Sequence, residues 1–364
     1  MQIGIVGLPF SGKTTLFQTI TKTLLDTSHL SRPETHLAVI KVPDARLDKL
    51  TEIFNPKKKV NATIEFIDVA GLKSDESGAV KFSGNFLANV KNNDALILVT
   101  RLFKDESVVN PFGSIDMMRD INLFETEFIL SDLAIVEKRI ENLKKQSAKG
   151  GLKTQDDLIK RELTLLEKCN THLQNEKPLR DLELLKEELS LLKTYQLLSA
   201  KPLLIALNLD ESQVGEKDSF LDKLIKTKVG KHTKALAFFG KVEFEMSELS
   251  EDDAKMFMTE FGINESALNG IIREAYSLLG LQSFFTVGED ECRAWTIRKG
   301  MNAQEAAGEI HSDFFNKFIR AEVVHYDDFI KAGSFAKAKE IGVWRLEGKE
   351  YVVKDGDIIS VRHS

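Results

Sequence analysis

Residues 7–15 read Gly-Leu-Pro-Phe-Ser-Gly-Lys-Thr-Thr and put Gly7, Gly12, Lys13 and Thr14 in the spacing G-x-x-x-x-G-K-[ST]. That spacing suits the binding of a nucleotide polyphosphate. Glycines allow successive main-chain N–H groups to point inward, and a helix beginning near Lys13 adds the positive end of its dipole to the same anion site. Lys13 can reach the β- and γ-phosphates, the Thr14 hydroxyl is a hard oxygen ligand for Mg²⁺, and Thr15 supplies a further phosphate contact. Phe10, Ser11 and Gly12 complete the wall of the loop. Which base is carried, and whether the nucleotide is cleaved, depend on other residues.

Asp68-Val69-Ala70-Gly71-Leu72 has the form D-x-x-G at the end of an apolar run. Asp68 can hold Mg²⁺ through water, and the Gly71 N–H can sense the γ-phosphate. Ras-like proteins place a glutamine next to orient the attacking water, whereas this chain has Leu72, which cannot do so by hydrogen bonding. Hydrolysis is therefore expected to be slow unless a loop movement or a partner supplies a polar group. Asn208-Leu209-Asp210-Glu211 stands where a guanine-binding domain carries N-K-x-D. With Leu209 for the lysine and the longer Glu211 for the acid, the guanine fork is not formed. The Asn208 amide can instead meet the N6 and N7 edge of adenine, so ATP is expected over GTP. The same tetrapeptide also reads as a helix cap. Gly240 joins Asn208, Leu209 and Glu211 as a candidate base-side residue.

These residues need a sheet edge to hold them. Short apolar runs at Ile3–Val6, Leu37–Val42, Ile64–Val69 and Ala95–Thr100 alternate with amphipathic stretches, which predicts a parallel sheet flanked by helices over residues 1–124. From about residue 125 the pattern changes to Ile129, Leu133, Val136, Ile140 and Leu143, a helical seam. A break at 148–151 and a second Leu-rich stretch to Leu198 predict a helical hairpin inserted over 125–199. The run Leu203–Leu207 resumes the sheet, and residues 281–364 predict a small mixed sheet packed on a helix over 303–311.

With 364 residues, a net charge of −6 and 42% hydrophobic residues, the chain has room for two or three domains, and its bulk charge gives no sign of DNA binding. Cys169 and Cys292 are far apart, so neither a disulfide framework nor a zinc site is indicated. No apolar run approaches a membrane span, and a cytoplasmic setting is expected.

Across nearly its whole length the sequence resembles the YchF-type Obg-like ATPases. The stretches that carry the resemblance are Gly-Ile-Val-Gly-Leu-Pro at 4–9, Val-Pro-Asp-Ala-Arg-Leu-Asp-Lys-Leu at 42–50, Asp-Val-Ala-Gly-Leu at 68–72 and Asn-Phe-Leu-Ala-Asn-Val at 85–90. Arg-Ala-Trp-Thr-Ile at 293–297, Gln-Glu-Ala-Ala-Gly-Glu-Ile-His-Ser-Asp-Phe at 304–314 and Glu-Gly-Lys-Glu-Tyr-Val-Val-Lys-Asp-Gly-Asp at 347–357 add to it. The resemblance implies an α/β chain: a Ras-like phosphate-loop domain at 1–124 and 200–280, a helical coiled-coil insertion at 125–199 and a β-grasp TGS domain at 281–364. It also implies Mg²⁺ and ATP as ligands, GTP as the weaker nucleotide, a hydrophobic residue after the D-x-A-G stretch, and association with the ribosome or its RNA.

Departures from the family pattern gather near the γ-phosphate. The family loop usually reads Asn-Val-Gly-Lys-Ser, where this chain has Phe10-Ser11-Gly12-Lys13-Thr14. Arg32 falls where the family has a threonine, leaving Thr35 as the nearby candidate metal ligand, and Asn110 aligns with a family histidine proposed to aid hydrolysis. The alternative is thus a nucleotide-gated binding module with little or no turnover. A structural ATPase of the SMC type would need a far longer hairpin and an L-S-G-G stretch, and a small-molecule kinase would leave the D-x-x-G and N-x-x-E pieces without purpose. Lys144, Lys145, Lys149 and Lys153 would make the hairpin tip basic, suited either to RNA phosphate or to plain solvation.

Overall fold

Strands buried on both faces read as unbroken apolar runs, and two of them, Ala95–Arg101 and Leu203–Asn208, are buried at every position. They sit inside a six-stranded sheet whose order is His36–Lys41, Thr63–Asp68, Gln2–Gly7, Ala95–Arg101, Leu203–Asn208, Thr233–Phe238. The computed structural model describes residues 1–24, 36–69, 72–74, 80–148, 153–260 and 265–364. Gln2–Gly7 pairs in parallel with Thr63–Asp68 on one side and Ala95–Arg101 on the other, and the parallel pairing continues through Leu203–Asn208 to Thr233–Phe238. The crossovers among these five strands therefore return to the same edge, and Gly7, Asp68, Arg101 and Asn208 all end there. That carboxyl edge is where open parallel sheets bind ligands.

Two compact units divide the chain: residues 1–38 with 65–271, and residues 39–64 with 272–364. The first holds the large sheet and a helical arm. Within the arm, Met117–Ser147 and Lys153–Gln174 lie against one another through Val136, Ile140, Leu143, Leu165, Leu166 and Cys169, all buried, as the seam spacing requires. The further helix expected up to Leu198 is reduced to Lys186–Leu192, with single 3-10 turns at Leu179–Asp181 and Lys193–Tyr195. The chain turns there because Leu182 is extended and Gln196 is left-handed, with φ 49. Asp132, fully buried on the long helix, accepts from Leu198 N (2.8 Å), Ser199 N (2.7 Å) and Ser199 Oγ (2.6 Å), and so fixes the segment that feeds the Leu203–Asn208 strand.

In the second unit the sheet order is Arg345–Glu347, Phe318–His325, Asp357–His363, Leu281–Thr286, Glu291–Arg298, Lys58–Val60. Leu281–Thr286 and Asp357–His363 meet in parallel between antiparallel neighbours. The Ala303–Ile310 helix sets its small side chains, Ala303 and Ala306, against Phe284, Ile297 and Val323. Its start is fixed by a capping box in which Asn302 and Glu305 each satisfy the other's main-chain N–H. The apolar Tyr351–Val353 run, though it lies in the stretch expected to form the small mixed sheet, makes only an isolated bridge between Val352 and Asn302.

Candidate nucleotide site

The glycine loop leaves the central strand at Gly7 and enters the Lys13–Leu24 helix, with Leu16 N donating to Gly12 O at 2.9 Å. Gly12 has φ +95, and a Cβ there would lie 2.2 Å from Asn208 Nδ2, so conformation and space both demand glycine. Asn208 Nδ2 donates to Ser11 O at 3.1 Å, and its Oδ1 accepts from Gly240 N at 3.0 Å. A Cβ on Gly240 would come within 2.7 Å of that oxygen. One buried amide thus joins the phosphate loop to the strand end and to the Gly240–Ser247 helix.

Lys13 is buried, and its Nζ donates to Leu8 O at 2.9 Å. Burial lowers the ammonium below the usual lysine range, while the charge of Asp68 opposes the shift. Thr14 Oγ1 donates to Asp68 Oδ2 at 3.2 Å. A hydroxyl and a carboxylate brought this close at a helix N-terminus are hard oxygen donors of the kind Mg²⁺ takes. The Ser11 hydroxyl is buried without a hydrogen-bond partner, a polar atom left in the wall of the loop. These residues fit a Mg²⁺-bound polyphosphate. Thr15 is half-buried at the same helix start. Thr35, Arg32 and Gly71 lie outside the described residues.

Phe10 is 59% exposed and has φ 62. The left-handed region is one that asparagine tolerates and an aromatic residue adopts at a cost. Leu72 is buried in the apolar cluster with Val69, Phe86 and Val90, so its side chain belongs to the core and presents nothing to water. Asn110 Oδ1 accepts from Phe112 N at 2.9 Å and thereby shapes its own loop.

On the base side the geometry departs from the sequence reading in two places. The Asn208 amide, expected to meet an adenine edge, already gives one proton and one lone pair to main chain, so its first task is to hold the loop. Leu209, taken as a base-side contact, is 1% exposed in the sheet core, and its N–H donates to Phe238 O. Asp210 takes up the helix-cap alternative: its side chain accepts from Ser212 N at 2.9 Å and from Lys104 N at 3.0 Å. Desolvation would raise the Asp210 carboxyl, but these hydrogen bonds outweigh it and hold it below the usual carboxylate range. Glu211 is exposed beside it.

Phe103 was not singled out from sequence. Its N–H donates to Asn208 O at 3.0 Å, and the Arg101 guanidinium lies over its ring at 4.5 Å. Arg101 itself is buried and donates to the carbonyls of Phe103, Asp105, Val108 and Val109, winding the 103–109 loop around one cation. The signal was present in the sequence: Phe103 stands two residues past a buried strand, at the edge where parallel sheets bind ligands.

Residues 2–139 match a family profile described as a 50S ribosome-binding GTPase, and residues 281–364 match YchF-GTPase_C, described as a protein of unknown function (DUF933). The chain is 40% identical over 363 residues to the ribosome-binding ATPase YchF of Bacillus subtilis (strain 168), covering 99% of this chain and 98% of that protein. The chain belongs to the YchF family. The ribosome-binding ATPase YchF of Haemophilus influenzae is also 40% identical, over 361 residues, with coverage of 99% and 98%. The solved structure of the Schizosaccharomyces pombe YchF GTPase superposes with a TM-score of 0.88 at 31% identity, covering 100% of this chain and 97% of that one. Within the YchF frame the mixed α/β architecture, with a phosphate-loop domain and a separate C-terminal domain, is the family's own.

Proposed function

We propose that this chain is a cytoplasmic, nucleotide-dependent switch that binds Mg·ATP in preference to GTP, hydrolyses it slowly and associates with ribosomes. The junction of Gly12, Asn208 and Gly240 supports the reading most directly, because it makes phosphate loop and base-side segment one rigid cleft. Main-chain N–H groups of residues 10–15 and the Lys13 ammonium would hold the β- and γ-phosphates, Lys13 exchanging Leu8 O for a phosphate oxygen. Thr14 and Asp68 would hold Mg²⁺, with Thr35 as a further candidate, and Gly71 would meet the γ-phosphate. When bound, the metal neutralises charge on the phosphate oxygens. Phe103 offers an aromatic face to the base, and the second proton and lone pair of Asn208 remain for its edge. No lysine follows Asn208 and no aspartate stands at 211, so the guanine contacts are missing. Residues 1–124 with 200–280 would form the nucleotide domain, less the stretches 39–64 and 272–280 that group with the C-terminal unit, with 125–199 the helical arm and 281–364 the TGS domain.

Ribosome association rests on the names of the bacterial relatives; the hairpin tip adds little to it. Lys144 pairs with Glu167 at 3.0 Å and Lys145 with Glu141, so two of its four lysines already have acidic partners. Competition between ATP and GTP for a labelled ATP analogue tests the base preference: ATP is expected to displace the label at the lower concentration, and a tenfold advantage for GTP would overturn it. The buried Leu72 and the strained Phe10 favour a second reading, a nucleotide-gated binding module without turnover. Phosphate release by the native protein and Lys13→Ala separates the two, since equal rates would leave only the binding module.

A further inference from the structure

Arg101 is buried at the end of its strand, yet among the described residues its hydrogen bonds go to main-chain carbonyls and not to a carboxylate. Nε donates to Phe103 O at 3.3 Å, NH2 to Asp105 O at 3.0 Å, and NH1 to Val108 O and Val109 O at 3.0 and 3.2 Å. Taking a cation out of water is costly, and here the carbonyls of a single loop offset the loss. Only a guanidinium has donors enough, fixed in one plane, to serve all of these acceptors and still lay a flat face on a ring. That ring belongs to Phe103, whose centroid is 4.5 Å from the guanidinium carbon.

The same loop is tied to the strand that carries Asn208. Arg101 and Asn208 are partners at the ends of neighbouring parallel strands. Leu102 N and Phe103 N both donate to Asn208 O, at 2.8 and 3.0 Å, and Lys104 N donates to Asp210 Oδ2 at 3.0 Å. Hydrogen bonds from Ser107 and, more weakly, the charges of Arg101 and Lys241 hold the Asp105 carboxyl below its usual range, so the loop lies near the first turn of the Gly240–Ser247 helix. Those main-chain bonds fix the path of residues 102–104 but not the direction of the Phe103 side chain. The guanidinium acts on the side chain itself, covering one face of a ring that is only half-buried.

We infer that Arg101 is a positioning residue for the base: its guanidinium holds the Phe103 ring in the orientation in which the ring's other face stacks on the purine of the bound nucleotide. This rests on the nucleotide reading above and adds to it the group that sets the base's share of the affinity. The phosphate side is left alone, because none of the carbonyls that Arg101 holds belongs to the glycine loop. Stacking uses the π face that every base has, so Arg101 sets how tightly a purine is held and not which purine.

The test is titration of the full chain in Mg²⁺ with ATP and with tripolyphosphate, which has the phosphates and no base, for the native protein, Arg101→Lys, Phe103→Leu and the double variant. Arg101→Lys is expected to bind ATP about fivefold more weakly and Phe103→Leu about tenfold, within the range of one aromatic–base stack. The double variant should lose no more than Phe103→Leu alone, since the guanidinium acts through the ring. Tripolyphosphate should bind native and variant proteins alike. Losses that multiply in the double variant, an equal loss for tripolyphosphate, or full ATP affinity in either single variant would overturn the inference and leave the nucleotide reading standing. If the native protein binds no ATP, the nucleotide reading falls and takes this one with it. The comparison of variants needs ATP alone, so it decides even where tripolyphosphate binds too weakly to titrate. Should Arg101→Lys fail to fold, Phe103→Leu carries the test, and unchanged ATP affinity there overturns the inference.

Discussion

The side-chain amide of Asn208 donates to the carbonyl of Ser11 at 3.1 Å, tying the end of one buried strand to the loop that leaves another. Its oxygen is spent on Gly240 N, so removing the side chain orphans two buried main-chain groups. Asn208→Ala is expected to cost about 1–3 kcal/mol of stability for the lost partners and to weaken ATP binding with it. Denaturant midpoints and ATP titration measure the two effects. Undiminished nucleotide affinity in a folded variant would show that the loop holds its shape without the amide.

Phe10 holds a left-handed conformation with its ring in solvent. Phe10→Asn should raise stability by about 1 kcal/mol, the usual cost of a side chain in that region, seen as a higher Tm. An unchanged or lower Tm would mean that the ring gives back in contact what the backbone loses.

Leu72 occupies the position that carries a water-orienting glutamine in Ras-like proteins, but it is buried among apolar side chains. Leu72→Gln would therefore bury an amide where a leucine packs. The expected outcome is destabilisation by about 1–3 kcal/mol with no gain in phosphate release. Faster release would mean that the 72 side chain leaves the core during turnover.

Asp132 supplies a pH dependence. Desolvation pushes its carboxyl up to about 6, against the pull of hydrogen bonds from Leu198 and Ser199. A raised folded-state value means that the native chain holds this proton more tightly than the unfolded chain. Its contribution is fully present below the unfolded value of 3.8 and is lost as pH rises through about 6. In Asp132→Asn that slope should vanish. The stability difference, native minus variant, is expected to fall by on the order of 2 kcal/mol between about pH 4 and pH 7. Urea unfolding at both pH values reads it, and a flat difference would mean that Asp132 titrates as it does in water.

Features set by local pattern were legible in the sequence. The strands at Gln2–Gly7, Ala95–Arg101 and Leu203–Asn208 are continuous apolar runs, and the Met117–Ser147 seam has helical spacing; both appear where the pattern puts them. Gly12, Lys13, Thr14 and Asp68 came from a spacing that itself encodes geometry. The Thr233–Phe238 strand was passed over, because Lys234 interrupts its run and only the parallel pairing with Leu203–Asn208 makes it an edge strand. The task of Asn208 could not be read either, since an asparagine after a strand looks the same whether its amide faces a base or a neighbouring loop. The grouping of residues 39–64 with the C-terminal unit has no local mark at all. It is written in pairings such as Lys58 with Glu291 and Arg46 with Asp355, across separations that periodicity cannot span.

That grouping bears on how the chain is made. Leu47 and Leu50, fully buried in the finished protein, emerge from the exit tunnel long before the strands of residues 281–364 exist to shelter them. Closure of that module must await the final strand, Asp357–His363. Its assembly is thus a late, long-range event in biosynthesis, slowed by the loop entropy such distant pairings impose. Until that strand is made, an early part of the nascent polypeptide stays unfinished, and a chain cut short before it would leave those leucines uncovered for aggregation or proteolysis.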